Sequence, residues 1–141
     1  MPLSEEQLKE KYMEFQMFQK QVEQLNEHLE TMNQQDTELD ISINAIKELA
    51  QTKIDTEILA PIANGIFVKS KLIDNQTFIV NVGADTTVER VPLEVIALLQ
   101  QQKEELASNM VEAQQVLQQM TTHLRNIYQE VEEHRQARSA E

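Results

Sequence analysis

The sequence contains no cysteine and no tryptophan, and it has only two glycines and 4% aromatic residues. The absence of cysteine excludes disulfides, thiolate metal sites and a cysteine nucleophile. Two isolated glycines exclude a P-loop or any other glycine-rich nucleotide loop. Because aromatic side chains contribute heavily to protein cores, their scarcity disfavours a large globular core.

Basic residues are scarce too, with 12 lysines and arginines against 24 acidic residues and a formal net charge of −12. Nucleic acids and anionic membranes are bound through lysine and arginine, so this balance argues against both as partners. No apolar run approaches the ~20 residues of a membrane span, and the N-terminus lacks the basic start and apolar stretch of a signal peptide. We therefore expect a soluble protein of the cytoplasm with no nucleic-acid partner and no membrane partner.

Side chains that carry catalytic chemistry form no recognisable motif. His28, His123 and His134 stand alone in the sequence, and there is no His-Glu-x-x-His motif and no EF-hand loop. Carboxylate runs such as Glu132-Glu133 are typical of a solvated helix face. The sequence thus predicts no enzyme activity, no catalytic residues, no metal site and no cofactor.

Helix-forming residues dominate outside a short central segment. Both glycines and two of the three prolines lie between residues 61 and 92, while most of the 18 glutamines lie in the flanks. This division predicts one domain of residues 1–141 with an N-terminal helix over 4–53, a β segment over 54–91 and a C-terminal helix over 92–138.

Apolar residues recur every seven positions in both flanks, which is typical of a coiled-coil seam. A capping box of Ser4 and Gln7 precedes the first repeat and predicts the helix start. Eleven of the 14 seam positions in the first flank and ten of the 12 in the second are apolar. The first set is Leu8, Lys11, Phe15, Phe18, Val22, Leu25, Leu29, Met32, Asp36, Leu39, Ile43, Ile46, Ala50 and Lys53. The second set is Ile96, Leu99, Lys103, Leu106, Met110, Ala113, Leu117, Met120, Leu124, Ile127, Val131 and His134.

We expect the two helices to pair side by side and antiparallel, because their seams are similar in length and the segment between them is compact. Residues whose numbers sum to roughly 146 would then face each other. Phe18 would meet Tyr128, and Phe15 would meet Val131. Asp36 at a seam position either sets the register at mid-coil or marks a small error in the register assigned here.

The central segment alternates between stretches rich in β-formers and turn residues. Residues 65–73 and 77–82 predict two strands of a hairpin, with Asp74-Asn75-Gln76 as its turn. Residues 57–60 and 86–91 predict two shorter outer strands. Four short strands leave edges and one face exposed, so we expect them to assemble with other chains into a β body. The apolar residues expected in this β body are Ile66, Phe67, Val68, Leu72, Phe78, Ile79, Val80 and Val82.

Two stretches of the central segment are specific enough to compare with known families. They read Pro61-Ile62-Ala63-Asn64-Gly65-Ile66-Phe67-Val68 and Val80-Asn81-Val82-Gly83-Ala84-Asp85-Thr86-Thr87-Val88-Glu89. Set between two coiled-coil helices, they resemble the alpha subunits of prefoldin. The resemblance implies an α+β fold, in which a long antiparallel coiled-coil hairpin is joined by a four-stranded, two-hairpin β segment that oligomerises.

The same resemblance implies a function. It is that of an ATP-independent holdase chaperone subunit that captures unfolded client proteins at its coiled-coil tips and passes them to a group II chaperonin. The implied assembly is a hexamer of two alpha and four prefoldin beta subunits, although some alpha-like members form filaments. The alternative from another class is a coiled-coil scaffold or spacer that binds one specific folded partner.

Apolar residues off the seam, near the expected free end of the coil, are the candidates for client binding. Met13 and Met17 fall at outward heptad positions, and Tyr12 and Tyr128 fall on the flanks of the seam. Exposed methionine suits a surface that accepts varied apolar shapes. Seam residues of the same end join them if the coil end frays. The predicted client-binding tip is Leu8, Tyr12, Met13, Phe15, Met17, Ile127, Tyr128 and Val131. The alternative is that the off-seam residues pack against a neighbouring arm or are incidental, since scattered apolar surface residues are common.

Overall fold

The computed structural model describes residues 3–140 and contains two long helices with four β-strands between them. The elements are α1 (Glu5–Gln51), β1 (Glu57–Ala63), β2 (Ile66–Lys71), β3 (Phe78–Gly83), β4 (Thr86–Arg90) and α2 (Pro92–Ser139). The predicted α+β fold with two strand hairpins between two long helices is confirmed. Within residues 3–140, neither helix has the length and apolar character needed to cross a membrane.

Helix α1 begins at the predicted capping box. The Gln7 N–H donates to Ser4 Oγ at 3.2 Å, and the Ser4 N–H donates to Gln7 Oε1 at 3.0 Å. A helix start leaves several backbone N–H groups without an intrahelical partner, and these two bonds supply partners at that end. The start of α1 is therefore specified locally by two residues.

The predicted seam positions form the least exposed stripe of both helices. All of those that lie within α1 and α2 are buried or half-buried, whereas most positions between them are exposed. The buried apolar residues are Leu29, Met32 and Ile43 of α1 and Val95 and Ile127 of α2. Val95 was not among the predicted seam residues, and Lys53 lies beyond the end of α1. A narrow stripe with this period is typical of a coiled coil, so the predicted seam is confirmed.

The strands pair differently from the sequence-based prediction. Strand β1 pairs with β2 and β3 pairs with β4, both antiparallel, as two separate two-stranded sheets. The predicted hairpin between residues 65–73 and 77–82 was wrong, because β2 and β3 do not pair with each other. Instead, the predicted outer strands are the partners of the two inner ones.

Two-residue turns explain this pairing. Asn64-Gly65 closes the first hairpin with Gly65 at a φ of 78°, and Ala84-Asp85 closes the second with φ of 50° and 57°. Tight hairpin turns of the I′ type need positive φ at both central residues, which matches the second turn. Closing a short loop loses less chain entropy than closing a long one, so these turns are favoured over the longer β2–β3 connection.

The connection from β2 to β3 is ordered by side-chain hydrogen bonds. The Asp74 carboxylate accepts from the Thr77 hydroxyl, from the Gln76 N–H at 2.7 Å and from the Thr77 N–H at 3.2 Å. These bonds, led by the one from the Thr77 hydroxyl, lower the pKa of Asp74 from its ordinary value. Asn75 Nδ2 donates to the Thr52 carbonyl at 2.8 Å, which ties the connection to the end of α1.

The chain divides into two compact units. The first contains the described residues up to Gln35 and from Leu106 onward, so it consists of paired segments of α1 and α2. The second contains Asp36–Glu105 and includes both hairpins.

Cross-helix contacts in the first unit define the helix register there. Lys11 Nζ lies 2.9 Å from the Glu130 carboxylate, and the rings of Phe18 and His123 pack edge to face with centroids 4.6 Å apart. The prediction that Phe18 faces Tyr128 was wrong, since its partner lies five positions earlier in α2. The helices are antiparallel as expected, but the offset between them differs.

A charged cluster lies in the seam of the second unit. Lys103 Nζ lies 3.0 Å from the Asp40 carboxylate and 3.3 Å from that of Asp36. The hydrogen bond to Asp40 and then that to Asp36 raise the pKa of Lys103 from its ordinary value. Lys103 and Asp36 are both predicted seam positions, and opposite charges meet there across the helix pair. This favours the interpretation of Asp36 as a register-setting residue.

Candidate functional site

Four large apolar side chains are exposed near the start of α1 and the end of α2 in the first unit. These residues, which we call the coil-end surface, are Tyr12, Met13, Met17 and Tyr128. More than half of each side chain is exposed, and Met13 reaches 65%. The ion pair between Lys11 and Glu130 brings the two helices together at this level of the coil.

The two methionines of the coil-end surface lie one helical turn apart on the outward face of α1. Side chains four residues apart on a helix are neighbours, so the thioethers of Met13 and Met17 cover one continuous patch. Of the other described methionines, Met32 is buried and Met110 and Met120 are half-buried in the seam. In residues 3–140, methionine is therefore exposed only at the coil-end surface.

Polar contacts join the two helices next to this surface. Besides the Lys11–Glu130 pair, His123 Nε2 lies 2.8 Å from Glu14 Oε1. The hydrogen bond to Glu130 raises the pKa of Lys11 from its ordinary value, against the opposing effect of lost hydration. Lys11 is a polar residue at a seam position, and Glu130 supplies the partner that it needs there.

The segment before α1 is also held against α2. The Leu3 N–H donates to His134 Nδ1 at 3.1 Å, and Leu3 is half-buried. His134 is the second polar residue at a seam position of this end. It acts here as a hydrogen-bond acceptor and does not leave a gap in the seam.

The four seam residues predicted for the client-binding tip are less accessible than the coil-end surface. Leu8, Phe15 and Val131 are half-buried, and Ile127 is only 1% exposed. They pack in the seam, so they become available to a partner only where the helix ends separate. The coil-end surface is the part of the predicted tip that is available without any rearrangement.

A groove opens at the same end of the first unit, with a volume of about 280 Å³. We call it the coil-end groove, and its lining residues are Leu8, Tyr12, Val131, His134, Arg135, Arg138 and Ser139. Both helices contribute the apolar part of the lining, whereas the two arginines come from the last turns of α2. The groove therefore combines apolar surface with positive charge.

Both hairpins of the second unit present unpaired strand edges. Each hairpin is a two-stranded sheet, so each strand has one edge without a partner strand in residues 3–140. An isolated two-stranded hairpin is at best marginally stable in water, and a free edge is a template for pairing with another chain. Of the predicted β-body residues, the exposed ones are Ile66, Phe67, Val68, Ile79 and Val82, and the half-buried ones are Leu72, Phe78 and Val80.

The apolar side chains of the β3–β4 hairpin lie mainly on one of its faces. Val80 is paired with Val88, and Phe78 shares their face because side chains alternate along a strand. Ile79 lies on the opposite face and is 66% exposed. Its cross-strand partner there is Glu89, so this face is mixed in character. An antiparallel sheet commonly packs one apolar face and leaves the other in water, so the face of Phe78, Val80 and Val88 is the one suited to packing against a partner.

Sequence reasoning missed part of both surfaces. Further exposed apolar residues of the second unit are Leu59, Ile62, Ile73 and Leu93. The basic side of the coil-end groove was not predicted either. Arg135 and Arg138 are three residues apart and therefore lie on one helix face. This spacing in the sequence is the signal from which the basic side could have been predicted.

Residues 3–140 contain no group of three or more His, Cys, Asp or Glu side chains placed to hold a metal ion. Their charged side chains form partly exposed ion pairs instead, such as Lys11 with Glu130 and Lys103 with Asp40. Such pairs orient helices and contribute little stability on their own.

Comparison with known proteins identifies the family. A family model described as "Prefoldin subunit" matches residues 18–137. Prefoldin subunit alpha of Methanococcus aeolicus is 33% identical over 85 residues, which cover 60% of this chain and 57% of that relative's length. Prefoldin subunit alpha 1 of Methanocaldococcus jannaschii is 26% identical over 136 residues, which cover 94% of this chain and 93% of the relative.

A solved structure has the same fold. It is a chain in the cryo-EM structure of filamentous PFD from Methanocaldococcus jannaschii, which matches with a TM-score of 0.72 over 82% of this chain and 95% of that chain. Its sequence identity is 16%, so this likeness concerns the fold alone. The two relatives named above are prefoldin alpha subunits. Since the family model spans most of the sequence, the chain belongs to the prefoldin family of chaperone subunits.

Proposed function

We propose that this chain is an ATP-independent holdase subunit that captures non-native proteins at the coil-end surface. The observation that carries the proposal is the exposure of Tyr12, Met13, Met17 and Tyr128 together at one end of a helix pair whose other apolar residues are mostly in the seam. Clustered exposed apolar side chains mark interaction sites. Methionine is flexible and polarizable, so one patch accepts apolar segments of many shapes.

The mechanism requires weak contacts in large number. A patch of four side chains is too small to hold an unfolded chain tightly, because association and ordering of side chains oppose binding. Several copies of the patch in one assembly raise avidity through effective concentration, since each contact after the first is intramolecular. Capture then needs no nucleotide hydrolysis. Release occurs when another chaperone competes for the same apolar segments of the client.

The assembly that presents these patches is built through the hairpins in this proposal. The free strand edges and the apolar face of β3–β4 support pairing with strands of other subunits. Following the family, we propose a hexamer with two copies of this chain and four prefoldin beta subunits in the cytoplasm, with delivery of clients to a group II chaperonin. The filament of the Methanocaldococcus jannaschii protein is the alternative form of assembly.

The proposal is tested by placing charge on the coil-end surface. In Met13→Glu/Met17→Glu, both thioethers are replaced by carboxylates, and we expect the assembled complex to lose most of its ability to suppress aggregation of several unrelated unfolded proteins. The matched control is Val111→Glu/Val116→Glu, because these valines are also exposed apolar residues of the first unit but lie earlier in α2, farther from the coil end. Native mass measured for both variants checks that assembly is intact.

Two results would contradict the proposal. If the methionine variant and the valine variant hold clients equally well, the coil-end surface is not the capture site. If the unmodified complex suppresses no aggregation but binds one folded protein in a saturable manner, the chain is a scaffold rather than a holdase.

A further inference from the structure

The coil-end groove has a charge that contrasts with the rest of the chain. The sequence carries a formal net charge of −12, yet the groove is lined by Arg135 and Arg138 and by no acidic residue. Helix α2 continues through Ser139, so the two arginines lie on one face of its last turns. In the part of the chain that the structure describes, neither guanidinium forms an ion pair with a carboxylate.

Apolar surface adjoins these two charges. Leu8 and Val131 are half-buried and Tyr12 is exposed, and all three line the groove. A volume of about 280 Å³ suits individual side chains of an extended segment rather than a folded domain. An occupant that matches the lining has apolar side chains and a negative group beside them.

We propose that the coil-end groove binds an apolar peptide segment that carries an aspartate or glutamate side chain next to its apolar residues. The inference rests on the proposed holdase function and narrows its substrate class. Guanidinium groups form bidentate hydrogen bonds with carboxylates. A carboxylate is therefore a better partner for Arg135 and Arg138 than a neutral polar group is.

The positive charge of the groove affects which client segments can approach such an acidic chain. The general field of a protein with an excess of carboxylates repels acidic client segments. Arg135 and Arg138, which form no ion pair with a carboxylate in residues 3–140, place two positive charges in the groove, and these attract an acidic group over a short distance. They allow a segment with mixed apolar and acidic character to approach the same end of the coil where the coil-end surface binds purely apolar segments.

The experiment compares labelled peptides that differ only in one flanking residue. Three peptides share an identical apolar core and carry aspartate, asparagine or lysine beside it, and their binding to the assembled complex is followed by fluorescence anisotropy. We expect the aspartate peptide to bind about fivefold more tightly than the asparagine peptide at low salt, as two exposed ion pairs allow. The lysine peptide binds more weakly than both, and the preference falls as salt is raised because exposed charges are screened.

Single substitutions locate the preference. Arg135→Gln and Arg138→Gln each reduce the ratio of the affinity for the aspartate peptide to that for the asparagine peptide. Arg125→Gln is the matched control, since it removes the same charge from an exposed position of α2 outside the groove. The asparagine peptide is also prepared in two forms, with a free and with an amidated C-terminus. Tighter binding of the free form would overturn the inference, because the groove would then recognise a terminal carboxylate and not an acidic side chain.

The outcomes separate this inference from the proposed function. Equal binding of the aspartate and asparagine peptides overturns the inference while leaving the holdase proposal in place. An equal effect of Arg125→Gln and Arg135→Gln also overturns it, because the preference would then reflect overall charge. Absence of binding by all peptides, together with no suppression of client aggregation, means that the proposed function itself has failed.

Discussion

Ile127 and Tyr128 are adjacent in α2 but lie in opposite environments, and this contrast supports a quantitative prediction. Ile127 is 1% exposed in the seam, whereas Tyr128 is 60% exposed on the coil-end surface. Substitution of each by alanine therefore separates stability of the coil from binding at its surface.

The magnitude follows from the atoms removed. Ile127→Ala deletes three buried carbons, and at about 0.8 kcal/mol for each buried methylene the lost transfer free energy is about 2.4 kcal/mol. A residual cavity adds to this, so we expect destabilisation of about 2–5 kcal/mol. Tyr128→Ala removes a side chain that contacts mainly solvent, and its effect on stability is expected to stay within about 0.5 kcal/mol.

Amide hydrogen exchange in the assembled complex is the assay, because it reports local opening of each helix. A loss of about 2.4 kcal/mol corresponds to roughly 50-fold faster exchange of amides around Ile127 that open locally. Tyr128→Ala should leave exchange unchanged but weaken client holding. Exchange that accelerates less than about fivefold in Ile127→Ala would refute the burial argument for the seam at this end.

Three further predictions concern local structure. Ser4→Ala removes the acceptor for the Gln7 N–H and should destabilise the first turn of α1 by about 1 kcal/mol, seen as faster amide exchange there. Ala84 has a positive φ of 50°, which glycine adopts without strain, whereas glycine has the larger conformational entropy in the unfolded chain. The net effect of Ala84→Gly should be a β3–β4 hairpin that is more stable by about 0.5 kcal/mol in a denaturant titration. The lowered pKa of Asp74 means that its hydrogen bonds stabilise the fold above its unfolded pKa of about 3.9. That contribution is lost as the pH falls through the folded pKa, and the Gln76 N–H resonance should report the loss.

Each of these predictions has a matched control. Ser4→Thr keeps a hydroxyl acceptor and should leave exchange near that of the unmodified protein. Ala60→Gly makes the same chemical change as Ala84→Gly at a strand position without positive φ, so it should destabilise its own hairpin, β1–β2. Asp74→Asn cannot ionise, and a Gln76 resonance that still titrates over the same acid range in this variant would show that another group is responsible.

The long-range pairing of elements was predicted less well than the elements themselves. The dipeptide Asn64-Gly65 is a strong hairpin signal, but the predicted strand begins at Gly65 and uses half of this turn, which led to the wrong partner for β2. Ala84-Asp85 carries no comparable signal, since alanine rarely adopts positive φ. Strand pairing depends on which of several possible turns closes best, and that competition is not visible in the composition of any one strand.

The candidate site shows the same division. The heptad positions alone predicted that Met13 and Met17 would be exposed and that Ile127 would lie in the seam, because a helix repeats its faces at a constant angle. They did not predict the contact between Phe18 and His123, since the offset between two antiparallel helices depends on the folded connection between them.

By itself, the sequence determined the two helices, their seam, the capped start of α1 and the presence of four strands. These features follow from periodicity and from hydrogen bonds between residues close in sequence, which act before any distant contact forms. Only the tertiary structure decided the strand partners, the helix offset, the match of Lys103 with Asp36 and Asp40, and the union of apolar and basic residues in the coil-end groove. These features depend on contacts between residues far apart in the chain. Which of those contacts form depends on the free energy of the whole fold, and no local sequence pattern specifies them.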